Sequence, residues 1–138
     1  MYCSTTDQQC PEGYLVFQDT CYKLYTETKT RTDAAEDCEA KGAHLVDIKS
    51  LEENTFVEWL IFKYGVEDTW FGLVKPDESN LVWSDGTPVS SKGWHDIRIG
   101  SSNHPCFYLD YISDDQYRWN DKSCNREYAF VCEGEKGN

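Results

Sequence analysis

Seven cysteines, three histidines and a large excess of acids are the side chains in this sequence with the capacity for chemistry. Cysteine at this density is unusual in a reducing cytosol and usual in a secreted or ectodomain module held by disulfides, so the chain is expected outside the cell. The count is odd, so at least one thiol lacks a partner within the chain. A zinc cluster is the other use of cysteine, but no Cys-x-x-Cys pair occurs and the cysteines are scattered over the whole chain. His95, Asp96 and His104 fall in one stretch, and imidazole with carboxylate suits zinc far better than calcium. Neighbouring residues in an extended stretch point apart, so one chain offers two of these ligands at most. Asp121 or a second chain would have to complete the shell. Asp110, Asp114, Asp115 and Asp121 crowd together among Tyr108, Tyr111 and Tyr117. They read either as a solvated acidic turn or as a patch selecting basic partners or cations. No nucleophile elbow, His-Glu-x-x-His helix or Gly-rich phosphate loop is present, so no enzyme activity is expected.

The elements that must position these groups fit within 138 residues, of which 39% are hydrophobic and 14% aromatic. That is one domain's worth of core. A net charge of −12 repels nucleic acid and anionic membrane surfaces and leaves basic, cationic or uncharged partners. No apolar run approaches the roughly 20 residues needed to cross a bilayer, so no membrane insertion is expected. A domain over residues 10–133 is flanked by polar tails: residues 1–9, which hold Cys3, and a second from about Glu133 that occupies 134–138. Met1-Tyr2-Cys3 reads as the start of a mature domain behind an added first residue, with any targeting segment removed.

Tyr14–Phe17 and Cys21–Tyr25 read as strands. A helix is expected from Thr30 to Gly42, with Thr30 and Asp33 approximating a capping box and Ala34 and Cys38 on one face. Ser50-Leu51-Glu52-Glu53 is a capping box opening a second helix, which places Phe56, Leu60 and Tyr64 on one stripe with Val57 and Ile61 beside it, and Gly65 ends it. His44–Ile48 alternates like a strand. Thr69–Leu73, Leu81–Trp83, Cys106–Leu109, Tyr117–Trp119 and Tyr128–Cys132 complete the strands. From Ser84 to Pro105 the chain is rich in Gly, Ser, Pro and Asn, a long loop and the candidate site. The fold class is α+β, two helices packed on antiparallel sheets with a long loop region.

These landmarks together resemble the C-type lectin-like domain in its long form, over residues from about Cys10 to Glu133. The matching pieces are Cys10, Cys21, Cys38, Trp70-Phe71-Gly72-Leu73, Trp83-Ser84-Asp85-Gly86-Thr87-Pro88, Trp94, Cys106, Trp119-Asn120-Asp121, Cys124 and Cys132. The resemblance implies the pairs Cys38–Cys132, Cys106–Cys124 and Cys10–Cys21. Cys3 is then the spare, either an unpaired thiol in the tail or an interchain disulfide that makes a homodimer.

In the sugar-binding members of that family a calcium ion takes oxygen ligands from a Glu/Gln-Pro-Asn/Asp tripeptide, from a carboxylate two residues before the loop cysteine, and from the Trp-Asn-Asp motif. Calcium needs 6–8 oxygens. Here Asn120 and Asp121 supply the third source. The tripeptide is absent, Arg98-Ile99-Gly100 standing after Trp94, and His104 stands two residues before Cys106. Lys75 and Pro76 occupy the place of a further acidic ligand. The usual calcium-dependent sugar site is therefore expected to be lost, with Asn120 and Asp121 left in a hydrogen-bonded turn. Another family position would place a structural calcium on Val46, Glu52 or Glu53, and Glu133, although Glu52 and Glu53 also favour a helix N-terminus in their own right. The resemblance implies an extracellular, non-catalytic recognition module for a protein or another non-standard ligand. Its ligand face is residues 84–105, with Trp94 and Arg98, and Trp119-Asn120-Asp121. The alternatives are a carbohydrate-binding lectin with a divergent calcium site at Asn120 and Asp121, or zinc-linked or Cys3-linked self-assembly that raises avidity for the glycan or protein ligand.

Overall fold

The computed structural model describes residues 10–77, 80–89, 105–113 and 116–135. A hairpin comes first, β1 (Leu15–Phe17) antiparallel to β2 (Thr20–Lys29). Its two turn residues, Gln18 and Asp19, both take positive φ, 50° and 67°, the turn whose twist matches that of the flanking strands. Helix α1 spans Arg31–Ala40, and the Thr30 hydroxyl caps it by accepting from the Asp33 amide. It stops where Gly42, at φ 77°, lets Ala43 N turn back onto Cys38 O. Ala34 and Cys38 are fully buried, as their shared face requires.

Between the helices only His44–Leu45 pairs as a strand, β3. The expected alternation through Ile48 does not hold. Leu45, Val46, Asp47 and Ile48 are all buried, because α1, β4 and β8 close around the segment. Helix α2 spans Leu51–Lys63, with Ser50 Oγ accepting from Glu53 N. Glu53 does not complete the box at Ser50, since its Oε1 takes the Lys49 amide at 2.9 Å. Val57, Leu60 and Ile61 are buried and Phe56 packs against them. Tyr64 does not continue the stripe. It is the C-cap and 55% exposed.

The remaining strands are β4 (Thr69–Asp77), β5 (Asn80–Val82), β6 (Cys106–Ser113), β7 (Gln116–Lys122) and β8 (Tyr128–Glu135). They form one sheet in the order β1-β2-β8-β4-β6-β7, with β3 added to β8 and β5 to β4. The sheet is mixed rather than antiparallel throughout, because β4 and β8 run parallel. A parallel pair needs a long crossover, and β5, β6 and β7 provide it. β8 also runs through Glu133 to Glu135, into the stretch expected to be a tail. The core lies between sheet and α2, around Phe71, Phe107, Leu109, Trp119 and Val131, and a smaller cluster under α1 holds Trp70, Tyr108 and Phe130.

Three disulfides close the fold: Cys10–Cys21, Cys38–Cys132 and Cys106–Cys124, with separations of 11, 94 and 18 residues. These are the pairs the resemblance implies. In the chain-entropy view the longest loop stabilises by about 4.7 kcal/mol and the shortest by about 2.8. Replacing Cys38 and Cys132 together by Ala should therefore cost about 2 kcal/mol more than replacing Cys10 and Cys21. Guanidinium midpoints of the two double variants measure the difference.

Candidate functional site

Two groups of polar side chains lie where the expected ligand face begins. The first is on the β6–β7 hairpin, whose register sets Asp110 against Arg118, Leu109 against Trp119, Tyr108 against Asn120 and Phe107 against Asp121. The strand alternates strictly: Tyr117, Trp119 and Asp121 are buried, while Arg118 and Asn120 are half-buried on the other face. Asp110 Oδ2 accepts from Asn120 Nδ2 at 3.2 Å and from Arg118 Nε at 3.4 Å. Asn120 Oδ1 accepts from the Asp121 amide at 2.9 Å.

This geometry corrects three expectations. Asn120 and Asp121 lie in a paired strand and not in a turn, because the apolar alternation of Tyr117 and Trp119 continues through them. Asp110 is an ion-paired strand residue and not part of a solvated acidic turn. Trp119, named for the ligand face, is 2% exposed and packs on Phe71 and Trp83 at 5.1 and 5.5 Å between ring centroids. Tyr108 and Tyr117 also belong to the interior. Burial pushes the Tyr108 hydroxyl up, with Asp110 and Asp68 adding to it, and Tyr117 Oη donates to Val66 O at 2.8 Å.

The second group centres on Asp47, a residue to which the sequence alone assigned no role. Its carboxylate is 3% exposed. Oδ1 accepts from Ser84 N at 2.9 Å, and Oδ2 accepts from Ser84 Oγ at 2.9 Å and Asp85 N at 3.3 Å. Its own amide donates to Glu133 Oε1 at 2.8 Å. Asp85 in turn accepts from Thr87 N and Oγ1 and pairs with Lys49. These contacts hold its carboxyl well below the usual range, with Lys49 contributing most. Gly86 takes φ 90° and Val82 bridges to Pro88, so residues 84–89, expected to be loop, form an anchored turn. Gly72 has to be glycine, because a Cβ there would overlap Asp47 Oδ1 and stand 2.9 Å from Val46 O. An acid inside the apolar run Leu45-Val46-Asp47-Ile48 was the available signal.

Next to Asp47, Glu53 and Glu133 come together. Glu53 Oε2 accepts from Tyr22 Oη at 2.7 Å, and burial with the facing Glu53 and Asp47 pushes the Glu133 carboxyl up to about 8. Glu52 is exposed on the first turn of α2, and the Val46 carbonyl accepts from Gly72 N at 2.7 Å. Among the described residues no group of three His, Cys, Asp or Glu side chains is arranged to hold a metal. Of the expected ligands of a structural calcium, Glu53 and Glu133 are brought together, whereas Glu52 is not among them. His44 sits in β3, its Nδ1 2.8 Å from Leu45 O and 3.1 Å from Ser84 Oγ. Trp94, His95, Asp96, Arg98, His104, Asp114, Asp115 and Cys3 lie outside the described residues.

The model of the lectin C-type domain matches residues 27–134. One chain of the snaclec coagulation factor IX/factor X-binding protein of Gloydius halys is 34% identical over 139 residues, covering 94% of this chain and 88% of that protein. The crystal structure of human lithostathine superposes with a TM-score of 0.79 at 32% identity, covering 92% of this chain and 91% of that one. The mouse scavenger receptor C-type lectin carbohydrate-recognition domain gives a TM-score of 0.75 at 34% identity, covering 94% and 98%.

The Glu133 carboxyl has a testable linkage. With its value raised from the ordinary 4.5 to about 8, the folded state holds an extra proton between those limits. The corresponding stability is complete below about 4.5 and is lost as pH rises through about 8. Tm should fall across that window, and Glu133→Gln should flatten the fall and raise Tm at its alkaline end, as read by calorimetry in a pH series.

Proposed function

Since the chain belongs to the lectin C-type domain family, we propose that it is an extracellular, non-catalytic recognition module that binds a protein partner without a calcium-held sugar. The observation that carries this reading is the engagement of the Asn120 side chain on β7. Asn120 turns to Asp110 and Arg118, while Asp121 turns into the interior at 5% exposure. Both polar atoms of the Asn120 side chain are thus engaged within the protein, and the other two oxygen sources of the family's calcium site are absent from the sequence. The Arg118 guanidinium, 3.4 Å from Asp110, occupies the carboxylate that a cation beside Asn120 would otherwise draw on. A relative named for binding coagulation factors supports a protein ligand, and the disulfide framework supports an oxidising, extracellular setting. No helix among the described residues is long and apolar enough to cross a membrane.

The recognition face begins at the turn that Asp47 anchors and includes residues 84–105. Asp47 fixes the direction in which that stretch leaves the sheet, so binding energy is not spent ordering its first residues. The second reading is a carbohydrate ligand, favoured by likeness to a carbohydrate-recognition domain at 34% identity.

A glycan array run once in calcium and once in chelator separates the two readings. The expected result is equal, background-level signal in both. Calcium-dependent retention on mannose or galactose that is lost in Asn120→Ala would overturn the protein-binding reading.

A further inference from the structure

Away from residues 84–105, the β1–β2 hairpin and α2 enclose a groove of about 230 Å³. Leu15, Leu24, Leu60 and Tyr64 line it, with Lys23 and Gly13 at one end. Leu24 and Leu60 form a buried floor, whereas Leu15 and Tyr64 are 39% and 55% exposed walls. On the same helix Trp59 and Phe62 are exposed as well. Exposed apolar side chains gathered at a groove mark contact sites. The groove lies on elements that the matched family model leaves out in part, since that match begins at residue 27.

Three features identify what fits it. Small-molecule pockets usually run from about 300 to 1,000 Å³, and this groove is smaller, the size of a single large side chain. β1 ends the sheet order, and among the described residues it pairs with β2 alone. Such an edge accepts an added strand through its backbone. The charges flanking the groove are also cationic in a chain of net charge −12. Lys23 makes no ion pair among the described residues, its ammonium lying 5.0 Å from the Tyr25 ring centroid. A Cβ on Gly13 would come within 2.8 Å of Lys23 Nζ, so glycine leaves the ammonium its room. Lys63 Nζ lies 5.0 Å from the Trp59 ring and 5.7 Å from Tyr64. Lys23 lines the groove itself, and charges farther off are screened over about 8 Å at physiological salt.

We propose that this groove docks an extended acidic segment of a partner protein. The segment adds to the β1 edge, seats one leucine- or phenylalanine-sized side chain between Leu15, Leu60 and Tyr64, and sets its carboxylates against Lys23 and Lys63. The site is separate from residues 84–105 and holds whichever ligand that face takes.

A phage-displayed random peptide library panned on the immobilised full chain tests it at about 0.15 M salt. The enriched peptides should carry one large apolar residue between Asp or Glu. A synthetic copy of the best should shift the amide resonances of Leu15, Lys23 and Tyr64. Leu15→Ser, Tyr64→Ala and Lys23→Glu should each weaken capture by at least about fivefold while near-ultraviolet circular dichroism stays unchanged. Basic winners, no enrichment, or capture indifferent to all three variants would overturn the proposal. So would light scattering showing self-association abolished by Leu15→Ser, which makes a second copy the occupant. Capture that appears only after deletion of residues 1–9 would assign the groove to that segment and overturn it equally.

Discussion

A carboxylate enclosed by backbone is the constraint around which this molecule is arranged. Asp47 sits where β3 gives way to α2, and it is shielded from water on nearly every side. Burying a charge is costly unless hydrogen bonds replace its hydration, and three donors from Ser84 and Asp85 do so. The demand acts in both directions. The turn after β5 is held against the sheet because its donors are spent on Asp47, and Gly72 of β4 must lack a side chain so that the carboxylate has its place. Glu133 receives the Asp47 amide, so β8 is joined to the same point. One residue, through its carboxylate and its amide, thus links β4, β8 and the turn after β5.

The β6–β7 hairpin shows how a scaffold keeps a motif while using it differently. Asn120 and Asp121 are retained as residue types, yet one serves the polar face and the other the interior. Arg118 and Asp110 form an ion pair beside them with a shared oxygen, Asp110 Oδ2. A single half-buried pair of this length contributes little stability by itself. Its importance is positional, since it occupies the polar face of β7 and turns the Asn120 amide toward Asp110.

Much of this was legible in the residues. Helix starts at Thr30 and Ser50 follow from side chains that accept the first free amides, and those are local events. The disulfide pairs followed from resemblance, not from spacing. What escaped was non-local. The parallel pairing of β4 with β8 depends on a crossover no local pattern reveals, and Asp47 meets Glu133 across 86 residues. Tyr64 keeps the helical spacing of the apolar stripe, but α2 ends there and the ring falls outside the packed layer. For Asn120 and Asp121, turn-forming residue types outweigh the period-two pattern of Tyr117 and Trp119, which points to a strand throughout.

The central position of β8 has a bearing on biogenesis. During synthesis the chain emerges from its amino-terminal end, so β2, β4, β6 and β7 leave the ribosome while the slot between β2 and β4 is still vacant. Cys38 is left without its own bridge until Cys132, 94 residues later, has been translated and threaded into that slot. Until then its thiol is open to exchange with cysteines that emerge earlier, so the last strand to be made decides whether the correct bridge is sealed.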